Sequence, residues 1–227
     1  MIVFKNVTKI YPPDTIALNN VSFEIKAGEF VVIIGRSGAG KTTVLKLLRR
    51  EEKPTKGQIF LKNKNLMEIP EKRIIELRRK IMSIYQDFKL LDKKTVFENI
   101  ALTLEIIGKP KKEIEEAVFK VAERLKISQN LKQLAGTLSG GEKQKVCLAR
   151  CLVTNPEVIL ADEPTGNLDP IATYEIINTL KSLNNEGITI ILATHNKEVT
   201  EMLSTRVLTL NSGRLIRDEK PGKYTLA

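Results

Sequence analysis

The stretch FVVIIGRSGAGKT, from Phe30 to Thr42, decides the fold of this chain. Its first five residues form an unbroken apolar run, which is typical of a strand covered on both faces. The glycines of the following loop, Gly35–Gly40, allow the backbone to curl so that its amides face phosphate oxygens, a geometry that a Cβ atom would block. A helix is predicted from Lys41 to about Arg50, so the loop has the strand-to-helix context of a phosphate-binding loop. Lys41 is then expected to bridge the β- and γ-phosphates, and the Thr42 hydroxyl to ligate Mg²⁺.

A second glycine-rich turn, LSGGE at Leu138–Glu142, precedes another predicted helix. The free N–H groups and the dipole at the start of a helix attract negative charge, so this turn is a second candidate anion site. One nucleotide cannot easily use two such sites if they lie far apart in one monomer. The two turns therefore predict a dimer in which each site closes the other.

Two acids follow an apolar strand, Val158–Ala161. Asp162 and Glu163 thus lie at the carboxyl end of that strand, where open α/β sheets bind ligands. Because adjacent residues at a strand end point in different directions, we expect Asp162 to hold the hydration shell of Mg²⁺ and Glu163 to polarise the attacking water. An ordinary Asp-Glu turn is the alternative, and the nearby phosphate loop argues against it.

Three further side chains are candidates for the same site. His195, the one histidine of the chain, follows the apolar run Ile188–Ala193, and an imidazole at that strand end can donate to a γ-phosphate or be incidental. Gln86 ends the short strand Ile81–Tyr85, where its amide can touch Mg²⁺ or water at a hinge. Tyr11 can stack on adenine, or it is a partly buried aromatic residue near a turn.

The composition suits one folded unit with a solvated surface. The 227 residues are 42% hydrophobic and 28% charged, which fits one α/β domain with a small subdomain. No apolar run approaches the ~18 residues of a membrane span, and the first residues, MIVFK, lack the layout of a signal peptide. We therefore expect a cytoplasmic protein that reaches a membrane only through a partner.

The whole chain has a net charge of +10, and its basic residues are concentrated in one part. Fourteen Lys or Arg and five Glu lie between Arg36 and Met82. This excess has three alternative interpretations. The preferred one is a solvated face, the second is contact with anionic lipid headgroups, and the third is nucleic-acid binding. Tryptophan is absent and aromatic residues do not alternate with the basic ones, so no specific nucleic acid is expected. Cys147 and Cys151 lack the further ligands of a zinc site and are expected to be buried and reduced.

Two periodicities divide the chain. Residues 1–87 and 155–227 carry strand signals, whereas residues 88–154 change to helical spacing. We therefore expect one α/β domain over 1–227, with a parallel core sheet, an antiparallel β flap and a helical subdomain inserted at 88–154. The predicted strands are Ile2–Ile10, Val21–Ile25, Phe30–Ile34, Gln58–Leu61, Ile81–Tyr85, Val158–Ala161, Ile188–Ala193, Val207–Leu210 and Arg214–Ile216. The predicted helices after the first are Thr95–Ile107, Pro110–Ile127 and Pro170–Asn184.

Together these motifs resemble those of the ATP-binding subunits of ABC-type systems, over nearly the whole chain. The matched motifs, in order, are the Walker A loop at Gly35–Thr42, the Q-loop at Gln86, the signature at Leu138–Glu142, Walker B at Val158–Glu163, the D-loop at Asn167–Asp169 and the switch histidine at His195. The resemblance implies a P-loop NTPase that hydrolyses ATP with Mg²⁺. It also implies a homodimer on ATP binding, head to tail, with each ATP between one Walker A and the other signature.

The resemblance also assigns roles to single residues. It implies that Glu163, His195, Gln86 and Lys41 are catalytic, that Thr42, Gln86 and Asp162 serve the metal, and that Asp169 lies across the dimer seam. The residues implied to bind ATP are Tyr11, Gly35, Arg36, Ser37, Gly38, Ala39, Gly40, Lys41, Thr42, Thr43, Ser139, Gly140, Gly141, Glu142 and Asp169.

Two stretches of the sequence indicate which branch of this family the chain resembles. LADEPTGNLD, Leu160–Asp169, is similar to a branch that includes lipoprotein-release, macrolide-export and cell-division ATPases, and YQDFKLL, Tyr85–Leu91, is most similar to the cell-division type. This implies an ATPase on the cytoplasmic face of the cell membrane that drives an integral membrane subunit, docked near Phe88–Ile107, and signals to cell-wall hydrolases. A lipoprotein-release or macrolide exporter is the alternative. A nucleic-acid-linked ABC ATPase is a second one, and 227 residues leave no room for its long coiled coil or second cassette.

Overall fold

The computed structural model describes residues 1–225, whose strands form two sheets. The strands are β1 (Ile2–Tyr11), β2 (Thr15–Ile25), β3 (Phe30–Ile34), β4 (Lys56–Leu61), β5 (Lys64–Asn65), β6 (Ile81–Tyr85), β7 (Val158–Asp162), β8 (Thr189–Thr194), β9 (Arg206–Asn211) and β10 (Arg214–Glu219). The helices are α1 (Lys41–Leu48), α2 (Ile74–Lys80), α3 (Val96–Ile106), α4 (Lys111–Arg124), α5 (Gly140–Leu152), α6 (Pro170–Asn185) and α7 (Lys197–Leu203).

The larger sheet has the order β10-β9-β3-β8-β7-β6. Its pairs are parallel from β9 to β6, and β10 joins its edge as the antiparallel arm of a hairpin. The smaller sheet, β2-β1-β4-β5, is antiparallel throughout. The predicted parallel core, antiparallel flap and closing hairpin are thus confirmed.

Burial on both faces explains the unbroken apolar strands. All five residues of β3 are buried, and they alternate between two apolar clusters. Val32 and Ile34 belong to a cluster that includes α3, α4, α5 and α6, whereas Val31 and Ile33 face a cluster that includes the flap and α1. A strand with two covered faces needs apolar side chains at every position, which is the pattern of parallel sheets.

Between β6 and β7 the described chain forms helices and 3₁₀ turns. Thr95 caps α3 through a capping box with Glu98, in which each side chain bonds the backbone N–H of the other residue. The helices α3, α4 and α5 pack on one another, and their apolar residues join those of the sheet in one cluster. A movement of residues 88–154 relative to the sheet would therefore have to shear an apolar contact.

Several element boundaries were predicted wrongly. Helix α1 ends at Leu48 instead of near Arg50, because Arg50 has a left-handed φ of 53° and its guanidinium bonds the carbonyls of Leu66 and Ile69. Helix α4 ends at Arg124, shortly before Lys126, which is also left-handed at φ 56°. Helices α2 and α7, with seven residues each, were not predicted, because seven residues show barely two turns of periodicity.

Strand β2 begins at Thr15, six residues before its predicted start. The residues TIALNN do not alternate cleanly between apolar and polar. Their strand conformation comes from pairing with β1, in which Tyr11 lies opposite Thr15 and Lys9 opposite Leu18. A partner strand therefore determines this segment, and a local pattern does not.

No helix among residues 1–225 is long and apolar enough to cross a membrane.

The two cysteines lie on α5 and are free thiols, each 2% exposed. Burial raises the pKa of both the Cys147 and the Cys151 thiol to about 12. Because the thiolate is the nucleophile, we expect neither residue to react with iodoacetamide in the folded protein at pH 8. Both should react after unfolding in urea, as mass spectrometry would show. Stoichiometric labelling of the folded chain would contradict the burial of α5.

Candidate functional site

A cleft of about 680 Å³ opens at the carboxyl edge of the parallel sheet. The predicted site residues that line it are Tyr11, the loop residues 36–43, Gln86, Glu163 and His195. Tyr11 is the last residue of β1. Gln86, Glu163 and His195 directly follow β6, β7 and β8, respectively. The parallel strands β3, β6, β7 and β8 end at the same edge of the larger sheet, so four separate parts of the sequence meet there. Tyr11 joins them from the antiparallel sheet.

The phosphate loop requires glycine where the chain makes its closest approaches. Gly40 has a φ of 105°, and a Cβ atom there would lie 2.5 Å from the carbonyl oxygen of Ala17. A Cβ atom on Gly35 would lie 2.5 Å from the carbonyl oxygen of Leu210. Because Gly40 immediately precedes α1, no side chain caps the helix, and its first N–H groups are left for an anion.

Lys41 is largely buried at the base of this loop. Its ammonium donates to the carbonyl oxygens of Gly35, at 2.8 Å, and Arg36, at 3.4 Å. It also lies 3.8 Å from the carboxylate of Glu163. A buried ammonium needs hydrogen-bond acceptors, and phosphate oxygens are acceptors of the kind that this position can reach.

The magnesium candidates from α1 and β7 are adjacent. The hydroxyl of Thr42 donates to the carboxylate of Asp162 at 3.2 Å. Burial raises the pKa of Asp162, and the hydrogen bond from Thr42 opposes that shift. These oxygen donors fit Mg²⁺, which commonly uses one or two protein oxygens together with water and phosphate. Among residues 1–225 no group of three or more His, Cys, Asp and Glu side chains forms a metal cage.

Glu163 lines the cleft beside Lys41. Its backbone is left-handed, with φ 48°, which a residue with a side chain rarely adopts. Its carboxylate accepts hydrogen bonds from the Thr194 hydroxyl at 3.0 Å and the His195 N–H at 3.3 Å. The Nδ1 atom of His195 lies 2.7 Å from the other carboxylate oxygen. The group therefore has a fixed position, as a general base requires.

Gln86 is connected to the D-loop rather than to the metal candidates. Its Nε2 atom donates to Asn167 Oδ1 at 3.3 Å, and the Asn167 side chain donates to the carbonyl oxygen of Gln86 at 3.0 Å. Gly166 leaves space for this pair, because a Cβ atom there would lie 2.8 Å from Gln86 Nε2. The side chain of Gln86 is exposed to the cleft, where a role toward Mg²⁺ stays a prediction.

The signature turn lies outside this cleft. Ser139 caps α5 in a capping box, and its hydroxyl donates to the Glu142 carboxylate at 2.8 Å. Hydrogen bonds from the side chain and backbone of Ser139 lower the pKa of Glu142. Asp169, also outside the cleft, caps α6 by accepting from the N–H of Ala172 at 2.9 Å. One copy of the chain therefore does not bring the signature turn and Asp169 to the cleft that holds the phosphate loop.

Tyr11 is the remaining predicted side chain of the cleft. The Lys9 ammonium lies over its ring, 4.7 Å from the ring centroid, and the ring lines the cleft.

Sequence reasoning missed two residues of the site. Thr194 bonds Glu163, and the Tyr224 hydroxyl donates to the carbonyl oxygen of His195 at 2.8 Å. The change from apolar to polar residues at Thr194, near the end of β8, was a signal that this side chain belongs to the site. The segment around Tyr224 has no periodicity, so no pattern in the sequence indicated that it lies beside the cleft.

The chain is similar to known proteins of one family. The family model described as "ABC transporter" matches residues 18–166. The cell division ATP-binding protein FtsE of Bacillus subtilis (strain 168) is 49% identical over 224 residues, which cover 99% of this chain and 98% of that protein.

Two solved structures have the same fold. The dimeric structure of MJ0796, a bacterial ABC transporter cassette, has a TM-score of 0.88 at 35% identity and covers 99% of this chain and 100% of its own. A dimeric post-hydrolysis state of the same cassette, bound to ADP and Pi, has a TM-score of 0.87 at 33% identity, with the same coverage of both chains.

Replacement of Lys41 tests the phosphate loop. Lys41→Met keeps most of the length of the side chain but removes the ammonium, so we expect ATP affinity to fall at least about tenfold, since hydrogen bonds to charged groups contribute ~1.5–3 kcal/mol. Isothermal titration calorimetry measures this. Lys120→Met, on the exposed face of α4, is the matched control and should bind ATP as the unaltered chain does. Equal affinity of both variants would contradict the role of Lys41.

Proposed function

Because this chain belongs to the ABC transporter family and is an ATP hydrolase of that family, we propose that it is the ATPase of an FtsEX-type complex in bacterial cell division. In that complex it drives a conformational signal through an integral membrane subunit to cell-wall hydrolases. Similarity to FtsE over the whole chain, at 49% identity, supports the cellular role. The observation that supports ATP hydrolysis at this site is the set of contacts that the Glu163 carboxylate makes with Thr194, His195 and Lys41.

The substrate is ATP with Mg²⁺. The amides of the loop 35–40 and the start of α1 bind the β- and γ-phosphates, with Lys41 as their cation. Thr42 and Asp162, which are already hydrogen bonded, would hold Mg²⁺, and the Gln86 amide would be a further oxygen donor for it. When bound, the metal neutralises charge on the phosphate oxygens. Tyr11, which lines the same cleft, stacks on the adenine.

Glu163 acts as the general base that accepts a proton from the attacking water. The Thr194 hydroxyl and the His195 N–H bond one carboxylate oxygen, and the imidazole contacts the other. These contacts hold the carboxylate in one orientation toward the phosphate loop. Phosphoryl transfer depends on such positioning more than on covalent chemistry, so His195 contributes by orienting Glu163 and the γ-phosphate.

ATP joins two copies of the chain head to tail. The signature turn and Asp169 lie outside the cleft of their own subunit, and they complete the site of the other one. The dimeric state of the relative MJ0796 supports this arrangement. Residues 88–154 carry the signature turn, so we expect them to move as a unit when the two copies close and open.

The partner is an integral membrane subunit similar to FtsX, which holds the ATPase at the cytoplasmic face of the cell membrane. Its docking surface includes residues 88–107, between the hinge after Gln86 and the end of α3. Leu91 and Ile106 are exposed there, as apolar side chains that a partner can cover. Basic residues of the segment 36–82 are available to contact anionic lipid headgroups at the same membrane.

Glu163→Gln tests the general base. The amide keeps the shape of the side chain but cannot accept the proton, so kcat for ATP hydrolysis should fall ~10²–10⁴-fold while ATP still binds. Turnover is measured by phosphate release, and the dimer by size-exclusion chromatography with Mg²⁺ and ATP, where the variant should elute as a stable dimer. Glu116→Gln, on the exposed surface of α4, is the control. Rapid turnover by Glu163→Gln would refute this assignment.

The membrane partner distinguishes cell division from export. We expect the tagged full chain, purified from its own cells in mild detergent with ATP, to retain an FtsX-like membrane protein, which mass spectrometry identifies. Retention of a lipoprotein-release or macrolide-export permease instead would replace the cell-division role with the exporter role. Retention of nucleic acid that is lost at high salt would favour a nucleic-acid-linked ATPase.

A further inference from the structure

The last described residues return to the catalytic edge of the sheet. After β10, the segment Pro221–Thr225 crosses beside β9, where the N–H of Gly222 donates to the carbonyl oxygen of Thr205 at 2.8 Å. A Cβ atom on Gly222 would overlap the side chain of Val207. A glycine at this position therefore lets the segment lie directly against the strand, which fixes the direction in which the following residues run.

Tyr224 is the residue of this segment that reaches the cleft. Its ring is half-buried, packs against the apolar cluster below the sheet and forms part of the cleft wall. Its hydroxyl donates to the carbonyl oxygen of His195 at 2.8 Å. The proposed function assigns no role to Tyr224.

His195 needs such a restraint. It follows the last residue of β8, and its side chain is 67% exposed. An exposed side chain samples several rotamers, and its fixation in one of them costs conformational entropy. The imidazole contact with Glu163, at 2.7 Å, is therefore maintained only if the backbone of His195 stays in place. The Glu163 carboxylate holds the N–H of His195, and Tyr224 holds its carbonyl oxygen.

We propose that Tyr224 is a positioning residue for ATP hydrolysis, whose hydroxyl holds the His195 backbone so that the imidazole stays in contact with Glu163. The inference rests on the proposed roles of Glu163 and His195 and adds a residue from the end of the chain to them. Tyr224 acts through His195 and needs no contact with ATP. Removal of the hydroxyl should therefore slow the chemical step and leave ATP binding unchanged.

Tyr224→Phe removes the hydroxyl and keeps the ring in the cleft wall. In the full-length chain, we expect kcat for ATP hydrolysis to fall about fivefold, the rate equivalent of the ~1 kcal/mol that one hydrogen bond contributes. KM for ATP should stay unchanged, and the melting temperature should fall by no more than about 4 °C, the shift that loss of ~1 kcal/mol causes in a chain of this size. Lys223→Ala, an exposed neighbour in the same segment, is the matched control and should keep the original kcat.

The position of the imidazole can be observed directly. Because the chain has one histidine, its ring signals in a ¹H–¹³C NMR spectrum are unambiguous. They should shift in Tyr224→Phe and stay in place in Lys223→Ala. A Tyr224→Phe variant with the original kcat and histidine signals would overturn the proposal. A higher KM with unchanged kcat would also overturn it, since Tyr224 would then be a nucleotide contact.

Failure of the Tyr224 proposal can be distinguished from failure of the proposed function. If the unaltered chain hydrolyses ATP and Glu163→Gln does not, the assignment of Glu163 stands whatever Tyr224→Phe does. If Glu163→Gln retains turnover, the proposed function fails first, and the histidine signals still report whether Tyr224 holds His195.

Discussion

The position of the Glu163 carboxylate is the constraint on which the site depends. Two separate segments of the chain meet at this group: the phosphate loop through Lys41, and the end of β8 through Thr194 and the adjacent His195. The backbone of Glu163 is left-handed, which costs ~1–3 kcal/mol for a residue with a side chain. The buried parallel strands on either side offset that cost, because the N–H of Glu163 bonds the carbonyl oxygen of Ala193 in β8.

The sheet holds the segments of the site in two different ways. The two-sided burial of β3 and β8 fixes the strand ends that precede the phosphate loop and His195, since closely packed interiors resist deformation. Gln86 instead leads into Phe88 and Lys89, which are both left-handed. Their carbonyl oxygens accept hydrogen bonds from Arg150 on α5, at 3.2 and 2.8 Å. These hydrogen bonds connect the segment after Gln86 to the helix that begins with the signature turn.

Local sequence patterns were sufficient for the parallel sheet, the flap and the phosphate loop, because each has a signal within a few residues. The unbroken run of β3 and the glycines at 35 and 40 are of this kind. The patterns were insufficient where the partner is distant in the chain. Thr15–Asn20 is a strand because β1 pairs with it, and Tyr224 reaches the cleft because Gly222 lets the chain lie on β9. Neither contact leaves a periodicity that a sequence could show.

The signature turn shows a different limit of sequence interpretation, because two physical requirements can explain its glycines: an anion site and close packing. A Cβ atom on Gly141 would lie 3.0 Å from Ala172, and one on Gly140 would lie 3.2 Å from Leu168, so packing against the D-loop already favours small residues. The ionised Glu142 beside Ser139 also repels an approaching phosphate. The free N–H groups of this helix start attract a γ-phosphate, and cations beside that phosphate would offset the repulsion by Glu142. Lys41 and Mg²⁺ on the other subunit would supply them, which makes closure of the proposed dimer depend on the loaded phosphate loop.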